Sequence, residues 1–496
     1  MIMRKIFTAI LFLPFLLLAS CAEWLDVQPK TSVEEEDLFS SEYGFKDALT
    51  GFYIKMGKTD LYGQTMTYYY LDMLAGRYNN DPEGILDTSP STVYAYDGTY
   101  EGTVINIYSS LYNVIANINN FLKFVDQNRS VIHTENYYET MKGEALGLRA
   151  FLHFDLLRLY GPVYKDNPEG AAVPYRTKFD NIATPILPAS EVLDLVIKDL
   201  LEAEELLEGH DSEIFNYDDS ADPFTEMRQM RMNIWAVRAM LARAYCYRGD
   251  EQSKALALQY ARSVIDCGHF TLAGTDDYAA TPITPTEQIF ALYIDDYYQI
   301  IDQVFTNVSY SNSLAAYQTN VTQWYEVASD ARYRNFSAPQ GTAVGQPLLK
   351  CNKYIFTGSA YTEGRGNYNG LDSQPLIRLP EMYYIAAECT RDVDEAASYL
   401  DEVIALRSGR YNATFTTGFD ETDTRQIFGV MTGQTVRTNE LMKEYLKEFY
   451  GEGQLFFFYK RFGFTAFPNC PAGDTMPLAN YQMPLPDDEY TYGNHN

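Results

Sequence analysis

Positive charge is scarce in this chain, which carries 38 lysines and arginines against 67 aspartates and glutamates. The formal net charge is −29. A protein this acidic repels phosphate backbones, so nucleic acid is excluded as a partner. The same charge disfavours adsorption onto an anionic membrane surface.

Histidine and cysteine are also few, and neither is arranged as a metal site. The five histidines are scattered, and no two lie four residues apart as in a zinc-binding helix. After Cys21 the cysteines are widely spaced and form no C-x-x-C pair: Cys246, Cys267, Cys351, Cys389 and Cys470. Cys246 and Cys389 fall on helical patterns with small apolar neighbours, which predicts buried free thiols. We predict neither a metal nor a cofactor.

Catalytic motifs are absent as well. The chain has no G-x-S-x-G, H-E-x-x-H or P-loop pattern. The acidic pairs Asp295-Asp296 and Asp487-Asp488 are adjacent in sequence, and adjacent residues do not converge by local geometry on one reacting atom. A binding protein is therefore predicted rather than an enzyme. A surface glycan-processing enzyme, with carboxylates from distant segments, is the less favoured alternative.

Only one long hydrophobic run occurs, at the N-terminus. Arg4-Lys5 precedes the apolar residues 6–18, and the small residues Ala19-Ser20 precede Cys21. This order is typical of a signal peptide, and Leu18-Ala19-Ser20-Cys21 looks like a bacterial lipobox. We predict a signal peptide over 1–20, acylation of Cys21 and a polar tether over 21–36. A plain secretory signal is the alternative.

Helical periodicity is the strongest feature of the remaining chain. From Gly143 to Tyr160 apolar residues form two stripes, and Gly161-Pro162 ends the pattern. A helix that is apolar on two sides is enclosed by neighbours, so this segment is predicted to be the central helix of a large helical core. Asp155 and Arg158 are spaced to form an ion pair.

Pairs of helices recur along the chain. Residues 233–267 read as two helices around Gly249-Asp250, and residues 379–409 repeat the pattern. Small residues at facing positions and a length near that of a tetratricopeptide unit predict about four such helix pairs. Ser190 is expected to cap a helix over 190–208. The last helix is expected over 439–450, with a non-helical tail.

Tyrosine is abundant, with 42 copies. Its flat apolar face and hydroxyl suit recognition of polar, ring-bearing ligands. Residues 268–376 are rich in tyrosine, threonine, asparagine and glycine, with weak periodicity. Since this segment is far longer than an ordinary loop, we expect a functional insertion or an inserted subdomain.

Several short motifs, taken in order, resemble the SusD/RagB family. They are Cys21 with Trp24-Leu25-Asp26, Gly143-Glu144-Ala145 with Leu148-Arg149-Ala150-Phe151, Arg378 with Glu381-Met382-Tyr383, Arg437 with Glu440-Leu441 and Glu444, Gly451-Glu452-Gly453, and Pro484-Leu485-Pro486 with Glu489. The chain departs from the family pattern at Trp24, Gln454 and Phe457. The last two place local charge pairing in question.

The resemblance implies a mostly α, single large body (37–496) of tetratricopeptide-like helix pairs with long irregular ligand-binding insertions. It implies a cell-surface lipoprotein of the outer membrane in a Gram-negative bacterium. Such a protein captures oligosaccharide and passes it to a SusC-type TonB-dependent β-barrel transporter. A peptide ligand, as in RagB-like proteins, is the alternative.

Ligand contacts vary within the family, so the resemblance assigns no binding residue. Six candidates follow from residue chemistry and expected loop position: Arg77, Asn79, Tyr94, Tyr96, Tyr297 and Trp324. Trp324 is the only tryptophan in the long insertion, and we expect its indole to be presented from a loop as a stacking platform for a sugar ring.

Overall fold

A computed structural model describes residues 35–79, 90–211, 213–215, 222, 224–305, 313–340, 346–355, 372–409, 418–473 and 475–492. The predicted signal peptide, Cys21 and the tether up to residue 34 lie outside the described residues. None of the helices in the described part has both the length and the apolar character needed to cross a membrane.

The described residues are mostly helical, as the sequence predicts. Sixteen helices lie in them: α1 Glu42–Met56, α2 Tyr70–Leu74, α3 Pro90–Val93, α4 Glu101–Gln127, α5 Tyr137–Tyr160, α6 Ala189–Leu207, α7 Ile234–Arg248, α8 Glu251–Ile265, α9 Thr275–Ala280, α10 Tyr297–Phe305, α11 Gln318–Tyr325, α12 Leu379–Cys389, α13 Val393–Arg407, α14 Val436–Glu448, α15 Gln454–Phe462 and α16 Asp487–Tyr492.

Seven short strands accompany the helices: β1 Ala171–Pro174, β2 Ile186–Pro188, β3 Gln288–Tyr293, β4 Ala315–Tyr317, β5 Phe336–Ser337, β6 Leu348–Cys351 and β7 Ser373–Arg378. They form the antiparallel sheets β1-β2, β3-β7 and β4-β6-β5. Strands β3 to β6 lie in the segment 268–376, and β7 begins within it. The segment therefore holds more regular structure than its weak periodicity indicates.

Helix α5 is the central helix, as predicted. Almost all of its residues are buried, and it packs between α4 and α6. It ends at Gly161, whose amide donates to the Leu157 carbonyl. The predicted ion pair between Asp155 and Arg158 is present and buried. Buried apolar side chains from Phe39 to Leu485 form one connected core around this helix.

The two predicted helix pairs are confirmed as α7–α8 and α12–α13. Asn233 caps α7, and Gly249 ends it in the left-handed region at φ 77°. Asp250 then caps α8, and Asp392 caps α13 in the same way. Because α8 also packs against α12, the two pairs lie side by side.

Three expectations about helix ends are wrong. Ser190 does not cap α6, because strand β2 keeps the chain extended through Pro188, which takes the cap position without a side-chain bond. The helix expected over 439–450 is not the last one, because α15 follows Gly451. The tail is not wholly non-helical, because α16 forms in it. Residues 454–462 are mostly buried and form a helix of only 9 residues, so their periodicity is too short to predict a separate helix from the sequence.

Arg158 contacts two of the three residues that depart from the family pattern, Gln454 and Phe457. Its guanidinium lies 3.6 Å from the centre of the Phe457 ring. Its Nη1 donates to the Gln454 amide oxygen at 3.4 Å. Besides its ion pair with Asp155, Arg158 therefore makes a cation–π contact and a hydrogen bond to a neutral amide at the positions that the resemblance marks as charged.

Candidate functional site

The structure corrects the expected position of Trp324. It lies on helix α11 rather than in a loop, and it is only 1% exposed. Val321, Trp324 and Tyr325 form the buried side of this helix, which packs against α14. The Trp324 and Tyr450 ring centres are 6.3 Å apart. The indole therefore has a packing role, and its role in ligand binding stays a prediction.

Arg77 is buried as well and joins the segment after α2 to the last turns of α14. Its Nη1 and Nη2 donate to the carbonyls of Leu446 and Tyr445. Its guanidinium lies 4.9 Å from the Tyr450 ring centre. Since Trp324 contacts the same ring, Tyr450 brings two of the six candidates together.

The three candidate tyrosines are also buried, and each hydroxyl has a partner. Tyr94 donates to the Leu74 carbonyl at 2.8 Å, and Tyr96 donates to the Asn480 carbonyl. Tyr297 donates to the Gln374 side chain. Burial raises the pKa of all three phenols. They are neutral hydrogen-bonding groups of the core rather than an exposed aromatic surface.

Unpartnered polar atoms concentrate around Tyr450. In the described residues, these buried atoms have no hydrogen-bond partner: Trp324 Nε1, Tyr450 OH, Arg77 Nε and Asp72 Oδ1. Burial raises the pKa of Asp72 to about 6, although Arg77 and the Gly451 amide favour its charged form. Most buried polar groups in proteins are paired. An internal water or a ligand group would therefore gain hydrogen bonds at this group of donors and acceptors.

Asn79 is the one candidate that reaches the surface, in a half-buried patch of amides. Its Oδ1 accepts from the Tyr317 amide at 2.8 Å and from Asn320 Nδ2 at 3.0 Å. Its Nδ2 donates to Asn469 Oδ1 at 2.8 Å. We call Asn79, Tyr317, Asn320 and Asn469 the amide patch. It presents amide and phenol groups suited to the hydroxyls of a polar ligand.

The amide patch depends on segments that are distant in sequence, so local patterns miss most of it. Asn320 and Tyr317 belong to α11 and β4, and Asn469 lies in the tail at φ 55°. The residues Pro468-Asn469 indicate a turn, and this is the only local sign of a special position. Of these four residues, only Asn79 is predicted from the sequence as a ligand contact.

A network of buried charges joins β7, α13 and α14. Arg378 is 1% exposed and donates to the carboxylates of Glu287, Glu448 and Glu452. Arg407 and Arg332 also contact Glu448. Ion pairs connect five buried cations and five buried anions: Arg332, Lys353, Arg378, Arg407, Lys447, Glu287, Asp330, Glu444, Glu448 and Glu452. Through Lys447 the network extends to Glu326 and Lys443.

The Gly451-Glu452-Gly453 motif directs Glu452 into this network. Gly451 and Gly453 have φ values of 81° and 69°, which favour glycine. A Cβ on Gly453 would lie 2.4 Å from the Met66 carbonyl oxygen. The two glycines thus turn the chain between α14 and α15 while Glu452 faces Arg378.

A second surface in the insertion carries exposed tyrosines. Tyr293 and Tyr298 are 49% and 40% exposed, and they lie at the end of β3 and the start of α10. Asp372, just before β7, lies beside the end of β3, because the Ile294 amide donates to its carbonyl at 2.8 Å. Burial, together with the nearby charges of Asp295 and Asp296, raises the pKa of the Asp372 carboxyl to about 6. Tyr361 and Tyr368 of the insertion lie outside the described residues.

These surfaces carry side chains that are suited to binding a polar ligand. Among the described residues, no group of three or more histidine, cysteine, aspartate or glutamate side chains is arranged to hold a metal ion. The amide patch offers neutral hydrogen bonds, and the tyrosines offer apolar faces. Fold and surface together define a helical protein that presents polar and aromatic groups on a rigid framework.

Comparison with known protein families assigns this helical protein to a family. The profile "Starch-binding associating with outer membrane" matches residues 23–246. The SusD family profile matches residues 286–495. The chain belongs to the SusD/RagB family.

Individual relatives agree with this assignment. The SusD-like protein P38 of Formosa agariphila is 28% identical over 197 residues, which cover 38% of this chain and 35% of that protein. The SusD-like protein P25 of the same organism is 26% identical over 154 residues, covering 30% of this chain and 29% of that protein. These alignments span about a third of the relatives' lengths.

Solved structures share the fold over nearly the whole chain. A SusD superfamily protein from Bacteroides thetaiotaomicron superposes with a TM-score of 0.68 at 20% identity, covering 91% of this chain and 98% of that one. A SusD-like carbohydrate binding protein from Bacteroides vulgatus has a TM-score of 0.64 at 17% identity, covering 91% and 96%. At this level of identity the likeness concerns the fold alone.

Proposed function

We propose that this protein is a cell-surface lipoprotein that captures oligosaccharide and passes it to a SusC-type TonB-dependent outer-membrane transporter. The observation that carries the proposal is the pair of family matches, over residues 23–246 and 286–495. One of the two profiles is described as starch-binding and associated with the outer membrane.

The surface chemistry supports a glycan as the ligand. The amide patch, which includes Tyr317, supplies both hydrogen-bond donors and acceptors. On the second surface, Tyr293 and Tyr298 supply exposed rings. Sugars combine hydroxyls with apolar ring faces, so they use both kinds of group. Peptide remains the alternative ligand class, and the binding test below separates the two.

The direct test is calorimetry on residues 22–496 with a panel of oligosaccharides and a panel of peptides. We expect binding to at least one oligosaccharide. Asn320→Ala and Tyr317→Ala should each weaken it about 2–10-fold, the cost of one hydrogen-bonding group. Asn106→Ala is the matched control, because Asn106 is exposed on α4. Binding of peptides alone would replace the glycan proposal with the peptide alternative.

The lipid anchor follows from the sequence around Cys21 and has its own test. Cys21→Ala should abolish acylation and leave the protein outside the membrane fraction, since acyl chains supply the membrane affinity. Full retention in the outer-membrane fraction by this variant would contradict the anchor.

The transporter is proposed because a binding lipoprotein does not itself move ligand across a bilayer. Extraction of the native host membrane in mild detergent should recover the chain together with a large β-barrel protein. Recovery as a free monomer under several gentle conditions would contradict a stable complex.

A further inference from the structure

Two cysteines from different helix pairs lie side by side in the core. Cys246 is on α7, and Cys389 is the last residue of α12. Their Sγ atoms are 3.8 Å apart, and the two residues are 4% and 5% exposed. Both are free thiols in this structure.

The geometry points to a disulfide between Cys246 and Cys389 that forms when the protein meets a disulfide oxidant. A disulfide bond is about 2.05 Å long, so the sulfurs need to approach by less than about 2 Å. A cavity of about 30 Å³ borders Cys246 and Tyr445 and leaves room for a small side-chain rotation. No other pair among the described cysteines is recorded at this separation.

The reaction is a balanced thiol–disulfide exchange. Both S–H bonds break and one S–S bond forms, while two electrons and two protons pass to a disulfide oxidant, which becomes two thiols. Compartments outside the cytoplasm supply such oxidants. The hydrogen bond to Cys246 and burial both raise the pKa of Cys389, so exchange is slow in the folded protein and faster before the core closes.

The bond would connect the two halves of the chain. Cys246 is the last residue of the first family match, and Cys389 lies within the second. Next to the pair, Cys246 Sγ lies 3.6 Å from the Glu388 carboxylate, which Arg461 of α15 holds at 2.6 Å. Closure would therefore link α7 to α12 covalently, next to the ion pair that already joins α12 to α15. This inference does not depend on the proposed ligand.

The test counts thiols in residues 22–496 by mass spectrometry. The protein is unfolded, refolded in a glutathione buffer of reduced or oxidised poise, and alkylated under denaturing conditions. The reduced chain should take up five alkyl groups, one for each cysteine after Cys21. The oxidised chain should lose two of these, and peptide mapping should join Cys246 to Cys389.

Variants separate this pair from the other cysteines. Cys267→Ser is the matched control and should still lose two alkyl groups on oxidation, whereas Cys389→Ser should lose none. Oxidation should raise the melting temperature of the wild type by roughly 3–5 °C, because the bond closes a long loop. Five alkylated thiols in oxidised wild type, or a mapped bond between other cysteines, would overturn the inference even if a variant fails to fold.

Discussion

The buried charge network offers the sharpest test of how this structure is held together, through the substitution Arg378→Met. Arg378 joins β7 to Glu287, to Glu448 of α14 and to Glu452 of the glycine turn. Methionine fills part of the same space but leaves the carboxylates one positive charge short. Removing one partner of a buried ion pair costs about 3–5 kcal/mol, since it leaves a buried charge uncompensated.

The remaining cations set the limit on this loss. Lys353 still pairs with Glu452, and Arg407 still pairs with Glu287 and Glu448. We therefore expect a decrease of about 3–5 kcal/mol in the free energy of unfolding rather than complete unfolding. Urea denaturation at 25 °C measures it directly.

A matched control is available in Arg391→Met. Arg391 pairs with Glu251, and the two side chains are 82% and 69% exposed. Exposed pairs contribute little, so the urea midpoint should stay at the wild-type value. The reasoning is refuted if Arg378→Met changes the midpoint no more than this control.

The pH dependence gives a second measurement on the same network. Burial alone would raise the pKa of Glu448, but Arg407, Arg378 and Arg332 hold it well below its ordinary 4.5. Arg332 and Lys447 likewise overcome burial and lower the pKa of Glu444 to about 2. Their stabilising contribution is complete above pH 4.5 and is lost as pH falls through the folded pKa values. The difference between wild type and Arg378→Met should therefore shrink below pH 4.5.

Three further predictions concern other parts of the fold. Trp324→Ala should lower the free energy of unfolding by about 3–5 kcal/mol and with it the melting temperature, because it empties a buried site. Tyr293→Ala, at an exposed position, should leave the melting temperature unchanged. Equal melting temperatures for the two variants would contradict the packing role of Trp324. Gly453→Ala should lower the free energy of unfolding in urea by more than the roughly 1–2 kcal/mol that left-handed backbone strain costs. Gly433→Ala is the control, because Gly433 has a φ of 81° and no atom within 4 Å of an added Cβ, so it should show the strain alone. Equal decreases in the two variants would contradict the contact with Met66. The pKa of Asp372 is raised to about 6, so its proton stabilises the fold fully below about pH 4, and this stabilisation is lost as pH rises through 6. Asp372→Asn should therefore raise the melting temperature at pH 8 by on the order of 1 °C and leave it unchanged at pH 4. An equal change in melting temperature at both pH values would show that the Asp372 proton is not involved.

The sequence alone determined the helical framework of this protein. The two apolar stripes of 143–160 place neighbours on both sides of α5, and Gly249-Asp250 ends one helix and begins the next. These are local properties, because helix periodicity and capping depend on residues within a few positions of one another. The ordered motifs along the chain identified the family for the same reason.

The tertiary structure alone decided which side chains reach the surface. Trp324 and Tyr297 have the chemistry of ligand contacts, but helix α11 turns Trp324 toward α14, and Tyr297 packs at the start of α10. The amide patch and the Cys246–Cys389 pair each join residues from distant segments. Exposure and proximity depend on how whole helices pack, and residue type and spacing carry no direct record of that packing.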